Sequence, residues 1–140
     1  MQLENKITIE NIETLVTLFY HKAMKDEHIG HYFVLELGED IENEDWKEHI
    51  EILVTFWATV FLDEELYFSD PYGPHFTIVG LKKEDFRHWM ALFSQTADEV
   101  YTPEIADQFK EKGMYYSKDF IKKLSLENDT ENLKSAMTWE

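Results

Sequence analysis

The chain has 140 residues, a formal net charge of −16, 15% aromatic residues and no cysteine. This length suits one globular domain with a single core, and the aromatic content is too high for a disordered chain. The negative charge argues against nucleic acid and anionic membranes as partners, and the lack of cysteine excludes disulfides and thiolate chemistry.

The N-terminal segment 1–10 has no basic flank and no apolar run, so a signal peptide is not expected. No stretch approaches the roughly 18 consecutive apolar residues of a membrane span. The sequence therefore predicts a cytoplasmic protein with neither membrane nor nucleic acid among its partners.

The first predicted helix has apolar residues at helical spacing from Ile9 to Ala23. Thr8 precedes it and can cap it, because a threonine hydroxyl accepts a backbone N–H of the first turn. This helix is expected to end near Asp26. A short segment around Gly30 follows and carries two aromatic residues.

The second predicted helix follows a polar loop at 38–43 and has an apolar stripe on one face. Asn43 can cap it, and Glu44 and Asp45 lie in the first turn, where the helix dipole favours carboxylates. The stripe comprises Trp46, His49, Ile50, Leu53, Phe56, Trp57 and Val60.

Helical periodicity is lost over residues 63–80, where Pro71, Gly73 and Pro74 prevent a long regular helix. This irregular segment contains His75. Its glycine and prolines allow the backbone to be shaped around a cofactor.

Two further helices are predicted, one over about 82–101 and one that begins at Thr102-Pro103, an N-cap followed by proline at the first helical position. The chain is therefore expected to be all-α. It should form a single domain over 1–140, with a core at about 9–124 and a polar tail at 125–140.

The histidines differ in their surroundings. Taken alone, His49 on its apolar stripe is more typical of a satisfied core residue, and His75 beside Phe76 of a loop residue. His28 and His31 form an HxxH pair in polar surroundings, which is a weak metal signal, so surface roles are expected for them.

Four stretches of the sequence together are more specific than any single residue. The first is Leu18-Phe19-Tyr20, with Phe33 thirteen residues after Tyr20, and the second is Trp46-Lys47-Glu48-His49, followed by Phe56-Trp57. In the third, Tyr67 and Pro71 precede His75 by eight and four residues. The fourth is the group Phe86, Trp89, Leu92 and Phe93. In this order and spacing they resemble the group III truncated haemoglobins, over about Asn11 to Leu124.

The resemblance implies a truncated globin fold, a two-over-two helical sandwich with a short irregular proximal segment. It also implies haem b, an iron protoporphyrin whose metal is held by His75 as axial ligand. The expected pocket wall consists of Phe33, Leu53, Phe76 and Phe86. Ordinary core packing is an equal alternative for Leu53 and Phe86.

On the open side of the iron, the resemblance implies Tyr20, Trp89 and His49. The tyrosine O–H and the indole N–H can donate to a bound gas, and the imidazole can gate access or carry a proton. The expected partners are a diatomic gas (O2, NO or CO) and an electron donor. Tight binding suits oxygen or nitric oxide redox chemistry, such as nitric oxide dioxygenase or peroxidase-like activity, better than bulk oxygen transport.

Two alternatives stay open at this point. One is a globin-fold sensor or interaction module without haem. The other is a metalloprotein that uses carboxylates and histidines without porphyrin. A di-iron bundle would need two Glu-x-x-His elements, and the nearest approach in the sequence is a single Asp85-x-x-His88.

Overall fold

The computed structural model describes residues 2–62 and 82–123, and every regular element within these ranges is an α-helix. The helices are α1 (Ile9–Ala23), α2 (Gly30–Leu37), α3 (Glu44–Leu62), α4 (Lys83–Val100) and α5 (Pro103–Lys123). The prediction of an all-helical chain is confirmed. None of these helices has the length and apolar character needed to cross a membrane.

The predicted helix starts are present. The Thr8 hydroxyl accepts the backbone N–H of Asn11 (3.1 Å), and the Asn11 side chain accepts the backbone N–H of Thr8 (2.9 Å), which completes a capping box. The Asn43 side chain accepts the backbone N–H of Trp46 at 2.8 Å at the start of α3. α5 begins at Pro103. These starts follow from short-range chemistry.

α2 is a helix where the sequence indicated only a short segment, because eight residues are too few for an apolar period to be recognised. The corner before it is tight. A Cβ on Gly30 would lie 2.6 Å from the carbonyl oxygen of Met24, so only glycine fits there. The Asp26 carboxylate accepts the backbone N–H groups of His28 (2.8 Å) and Ile29 (3.1 Å) and closes the turn.

The helices form two packed pairs, α1 with α3 and α4 with α5, and α1 also packs on α4. This is the predicted two-layer arrangement. Phe93 lies at its centre, with its ring stacked between Trp57 (5.3 Å between centroids) and Trp89 (4.8 Å). Gly113 of α5 lies against the same ring, since a Cβ there would come within 3.1 Å of Phe93.

Backbone hydrogen bonds join the N-terminal segment to the junction between α4 and α5. The Glu4 backbone N–H donates to Val100 O, and the Thr102 backbone N–H donates to Glu4 O, both at 2.9 Å. At the same junction the buried Tyr101 hydroxyl donates to Asn11 Oδ1 at 2.7 Å. This joins the end of α4 to the start of α1.

Candidate haem site

Six of the eight predicted site residues lie within the described ranges. Tyr20 is on α1, Phe33 on α2, His49 and Leu53 on α3, and Phe86 and Trp89 on α4. His75 and Phe76 lie outside the described residues, so their roles stay predictions.

Three of the six meet in one aromatic group. The ring centroid of Tyr20 lies 4.8 Å from that of His49 and 5.3 Å from that of Phe33, both edge to face. Trp46 completes the group, 5.7 Å from Tyr20 and 5.9 Å from His49. We refer to Tyr20, Phe33, Trp46 and His49 as the Tyr20 cluster. It brings α1, α2 and α3 together.

Trp46 was placed on the apolar stripe by the sequence but not among the site residues. It is fully buried, and its indole N–H donates to Gly38 O at 2.8 Å. That bond joins α3 to the C-cap residue of α2. The available signal was local: Trp46 is the third residue after the capping Asn43, whose side chain accepts its backbone N–H.

The Tyr20 hydroxyl is the distinctive polar group of the cluster. The residue is 5% exposed, and no hydrogen bond to its hydroxyl forms within the described part of the chain. Burial raises the pKa of Tyr20 well above its usual value, so the phenol keeps its proton. The group is therefore a donor held in the core at all physiological pH values.

His49 lies beside this hydroxyl-bearing ring. It is half-buried, its Nε2 atom is shielded from solvent, and its ring is set at 79° to that of Tyr20. The expectation that His49 faces the apolar interior agrees with this placement. An imidazole in this position can donate or accept a proton next to a phenol.

Trp89 and Tyr20 are connected only indirectly by the ring contacts of the described residues. Phe19 lies between them, 4.9 Å from Tyr20 and 5.7 Å from Trp89. The half-buried Trp89 stacks on Phe93 with the two rings 10° from parallel. Trp89 therefore belongs to the ring stack with Phe93 and is separated from Tyr20 by Phe19.

The remaining two residues line separate parts of the interior. Leu53 is half-buried and packs on the main core one turn along α3 from His49. Phe86 is buried and stacks on Phe120 of α5, with centroids 5.7 Å apart. Both expectations for Phe86, pocket wall and core packing, stay predictions.

The two histidines of the HxxH pair have different ring neighbours. His28 stacks on His88, with centroids 3.8 Å apart, and His31 contacts Tyr32. Both His28 and His31 are exposed, as expected. Within residues 2–62 and 82–123 no three metal-ligating side chains gather.

The Tyr20 cluster combines a buried tyrosine, an imidazole and an aromatic wall, and the whole chain is similar to a known protein. A group 3 truncated hemoglobin of Campylobacter jejuni is 30% identical over 114 residues, which cover 81% of this chain and 88% of that protein. The chain belongs to the group III truncated haemoglobins.

The fold of this truncated haemoglobin agrees with that assignment. The crystal structure of group III truncated hemoglobin from Campylobacter jejuni matches with a TM-score of 0.79 and 28% identity, covering 85% of this chain and 92% of that one. No protein-family model matches the chain. The predicted all-α truncated globin fold is confirmed.

Membership of the haemoglobin family implies a haem cofactor and haem-based binding of diatomic gases. The described residues fit such a group. The Tyr20 ring lies beside the imidazole of His49 and the ring of Phe33, so the cluster places a hydrogen-bond donor next to apolar surface. Phe33 offers the apolar surface that a flat porphyrin needs.

Proposed function

We propose that this truncated haemoglobin holds haem b through His75 and takes O2 or NO at an open position that faces Tyr20. We further propose that it serves oxygen or nitric oxide redox chemistry in the cytoplasm and not bulk oxygen transport. The observation that carries the proposal is the position of Tyr20, which is 5% exposed and has its ring edge to face against His49 and Phe33.

When bound, the haem would supply an iron that can take a diatomic ligand and carry out one-electron chemistry. Tyr20 donates a hydrogen bond to the ligand, because burial keeps its pKa high and its proton in place. A bond to a charged acceptor contributes about 1.5–3 kcal/mol. Such retention opposes the easy release that oxygen delivery requires.

Trp89 is proposed as a second donor on the same side. Its indole carries an N–H, and Phe19 connects its ring to that of Tyr20. His49 would gate access and carry a proton, which a nitric oxide dioxygenase or peroxidase-like reaction requires. Such turnover also requires an electron donor as partner.

The proposed wall consists of Phe33, Leu53, Phe76 and Phe86. Phe33 is the best supported of these, because its ring contacts both Tyr20 and His49. Leu53 lies four residues after His49 and therefore on the same face of α3.

Absorption spectra of the ferric, ferrous and CO-bound forms test the proposal. We expect an intense band near the violet edge in the purified or haemin-reconstituted protein, and a pyridine haemochrome spectrum of haem b. His75→Ala should abolish the histidine-ligated spectrum, whereas the exposed His21→Ala serves as the matched control and should leave it unchanged.

Two results would contradict the proposal. A well-folded, colourless protein whose stability does not change on adding haemin would favour the sensor or interaction module without haem. An unchanged five-coordinate histidine spectrum in His75→Ala would assign the iron to another residue.

A further inference from the structure

α2 carries Phe33 into the Tyr20 cluster, yet little in the helix itself holds it in place. It has eight residues, and no side chain caps its N-terminus. At its C-terminal end, the Asn43 side chain donates to Leu37 O at 2.8 Å, beside the indole bond from Trp46. The first turn of α2 has a further contact, to α4.

That contact is a hydrogen bond from the Tyr32 hydroxyl to Asp85 Oδ2, 2.8 Å long. The same oxygen accepts the backbone N–H of Lys82 at 2.8 Å at the start of α4. One half-buried carboxylate oxygen thus joins two helices that are far apart in sequence. Hydrogen bonds to an ionised acceptor are stronger than neutral ones.

A second contact lies beside the first. The ring of His28, in the turn before α2, stacks on the ring of His88, 3.8 Å away and 19° from parallel. His88 lies three residues after Asp85 and so on the same face of α4. The corner that precedes α2 and the first turn of α2 are therefore both attached to α4.

The geometry of a helix links this attachment to the pocket. Successive side chains on an α-helix point about 100° apart, so the direction of Tyr32 sets that of its neighbour Phe33. With Tyr32 directed to α4, Phe33 reaches Tyr20 (5.3 Å) and His49 (6.3 Å).

We infer that Tyr32 is a positioning residue for the gas-binding pocket: its bond to Asp85 places α2 so that Phe33 holds Tyr20 and His49 in the orientation that meets the ligand. This inference rests on the proposed function. The partner oxygen on Asp85 is a structural acceptor and does not touch the ligand.

The test compares Tyr32→Phe with the parent protein in the haem-loaded state. We expect gas dissociation to be faster by about 3- to 10-fold, because a shifted Phe33 misaligns the Tyr20 donor. The C–O stretching frequency of the CO-bound form should shift. NMR cross-relaxation between the Phe33 and Tyr20 rings should weaken both in the haem-free and in the CO-bound protein.

Tyr101→Phe is the matched control, because it also removes a tyrosine hydroxyl that donates to a side chain, at 2.7 Å from Asn11, but outside the pocket. It should lower stability without changing these readouts. A pair at Asp85 tests the acceptor. Asp85→Asn keeps an oxygen for both donors but loses the charge, so it should lie between the parent and Asp85→Ala. Asp85→Ala should change the pocket readouts at least as much as Tyr32→Phe, because it also removes the acceptor of the Lys82 N–H.

Unchanged dissociation and unchanged ring contacts in Tyr32→Phe would overturn the inference, as would an Asp85→Asn variant that resembles Asp85→Ala. A failure of the proposed function is distinct, because the parent protein itself would then bind no haem or no gas.

Discussion

Two buried tyrosines at different places in the molecule show how the same side chain serves different ends. Tyr101 is fully buried, stacks on Phe109 at 4.7 Å and donates its hydroxyl proton to Asn11. Tyr20 is almost as buried and contacts Phe33 and His49 edge to face, but its hydroxyl finds no acceptor among the described residues. Burial raises the pKa of both.

The difference separates a structural hydroxyl from one that is available to a ligand. At Tyr101 the buried donor is satisfied, as folding alone requires. At Tyr20 the donor lies beside the imidazole of His49 and the ring of Phe33, where the gas is proposed to bind. Three experiments test this difference between the two tyrosines.

The largest effect is expected from Tyr20→Phe. If the hydroxyl donates to the gas, its loss removes about 1.5–3 kcal/mol and speeds dissociation on the order of 10–100-fold. The free energy of unfolding of the haem-free protein should stay the same or rise, since no internal bond is lost. Stopped-flow ligand release and urea denaturation measure the two quantities. An unaltered off-rate would mean that the hydroxyl points elsewhere.

Tyr101→Phe should show the opposite pattern. It removes one bond from Asn11 Oδ1, which still accepts the backbone N–H of Thr8 at 2.9 Å. We expect the free energy of unfolding to fall by about 0.5–1.5 kcal/mol, with gas dissociation unchanged. A faster off-rate in this variant would show that general loosening, and not the Tyr20 donor, controls ligand release.

The smallest effect is expected on the free energy of unfolding at alkaline pH. Burial raises the pKa of Tyr20, Tyr32, Tyr101 and Tyr116, and the Asp85 carboxylate adds to the increase at Tyr32. The unfolded chain therefore loses these protons first, at a pH of about 10. The stability that these tyrosines contribute should be fully present below that pH and should be lost as the pH rises above it.

Urea denaturation on either side of that pH measures the decline, and Tyr101→Phe should make it shallower. A decline of equal slope in the variant would show that Tyr101 titrates alike in the folded and unfolded states.

Local sequence chemistry accounts for most of the helical framework. Thr8, Asn43 and Pro103 mark helix starts within a few residues of themselves, and all three predictions hold. The sequence did not predict α2 as a helix, because two turns are too short for an apolar period to be recognised. The start of α2 also depends on the close approach of Gly30 to the Met24 carbonyl.

The candidate site was predictable in part. Family resemblance selected Tyr20, Phe33 and His49, and the structure brings their rings together. It could not assign Trp46 to the same group, because that depends on the bond from its indole to Gly38 across the corner between α2 and α3. Nor could it place Phe19 between Tyr20 and Trp89.

The sequence alone determined that the chain is all-helical, where its main helices begin and which family it resembles, because caps, apolar spacing and motifs are read over short distances. Only the tertiary structure decided which buried hydroxyl is satisfied. The partners of Tyr101 and Tyr32 lie 90 and 53 residues away along the chain. Such bonds depend on how whole helices pack, which no local pattern specifies.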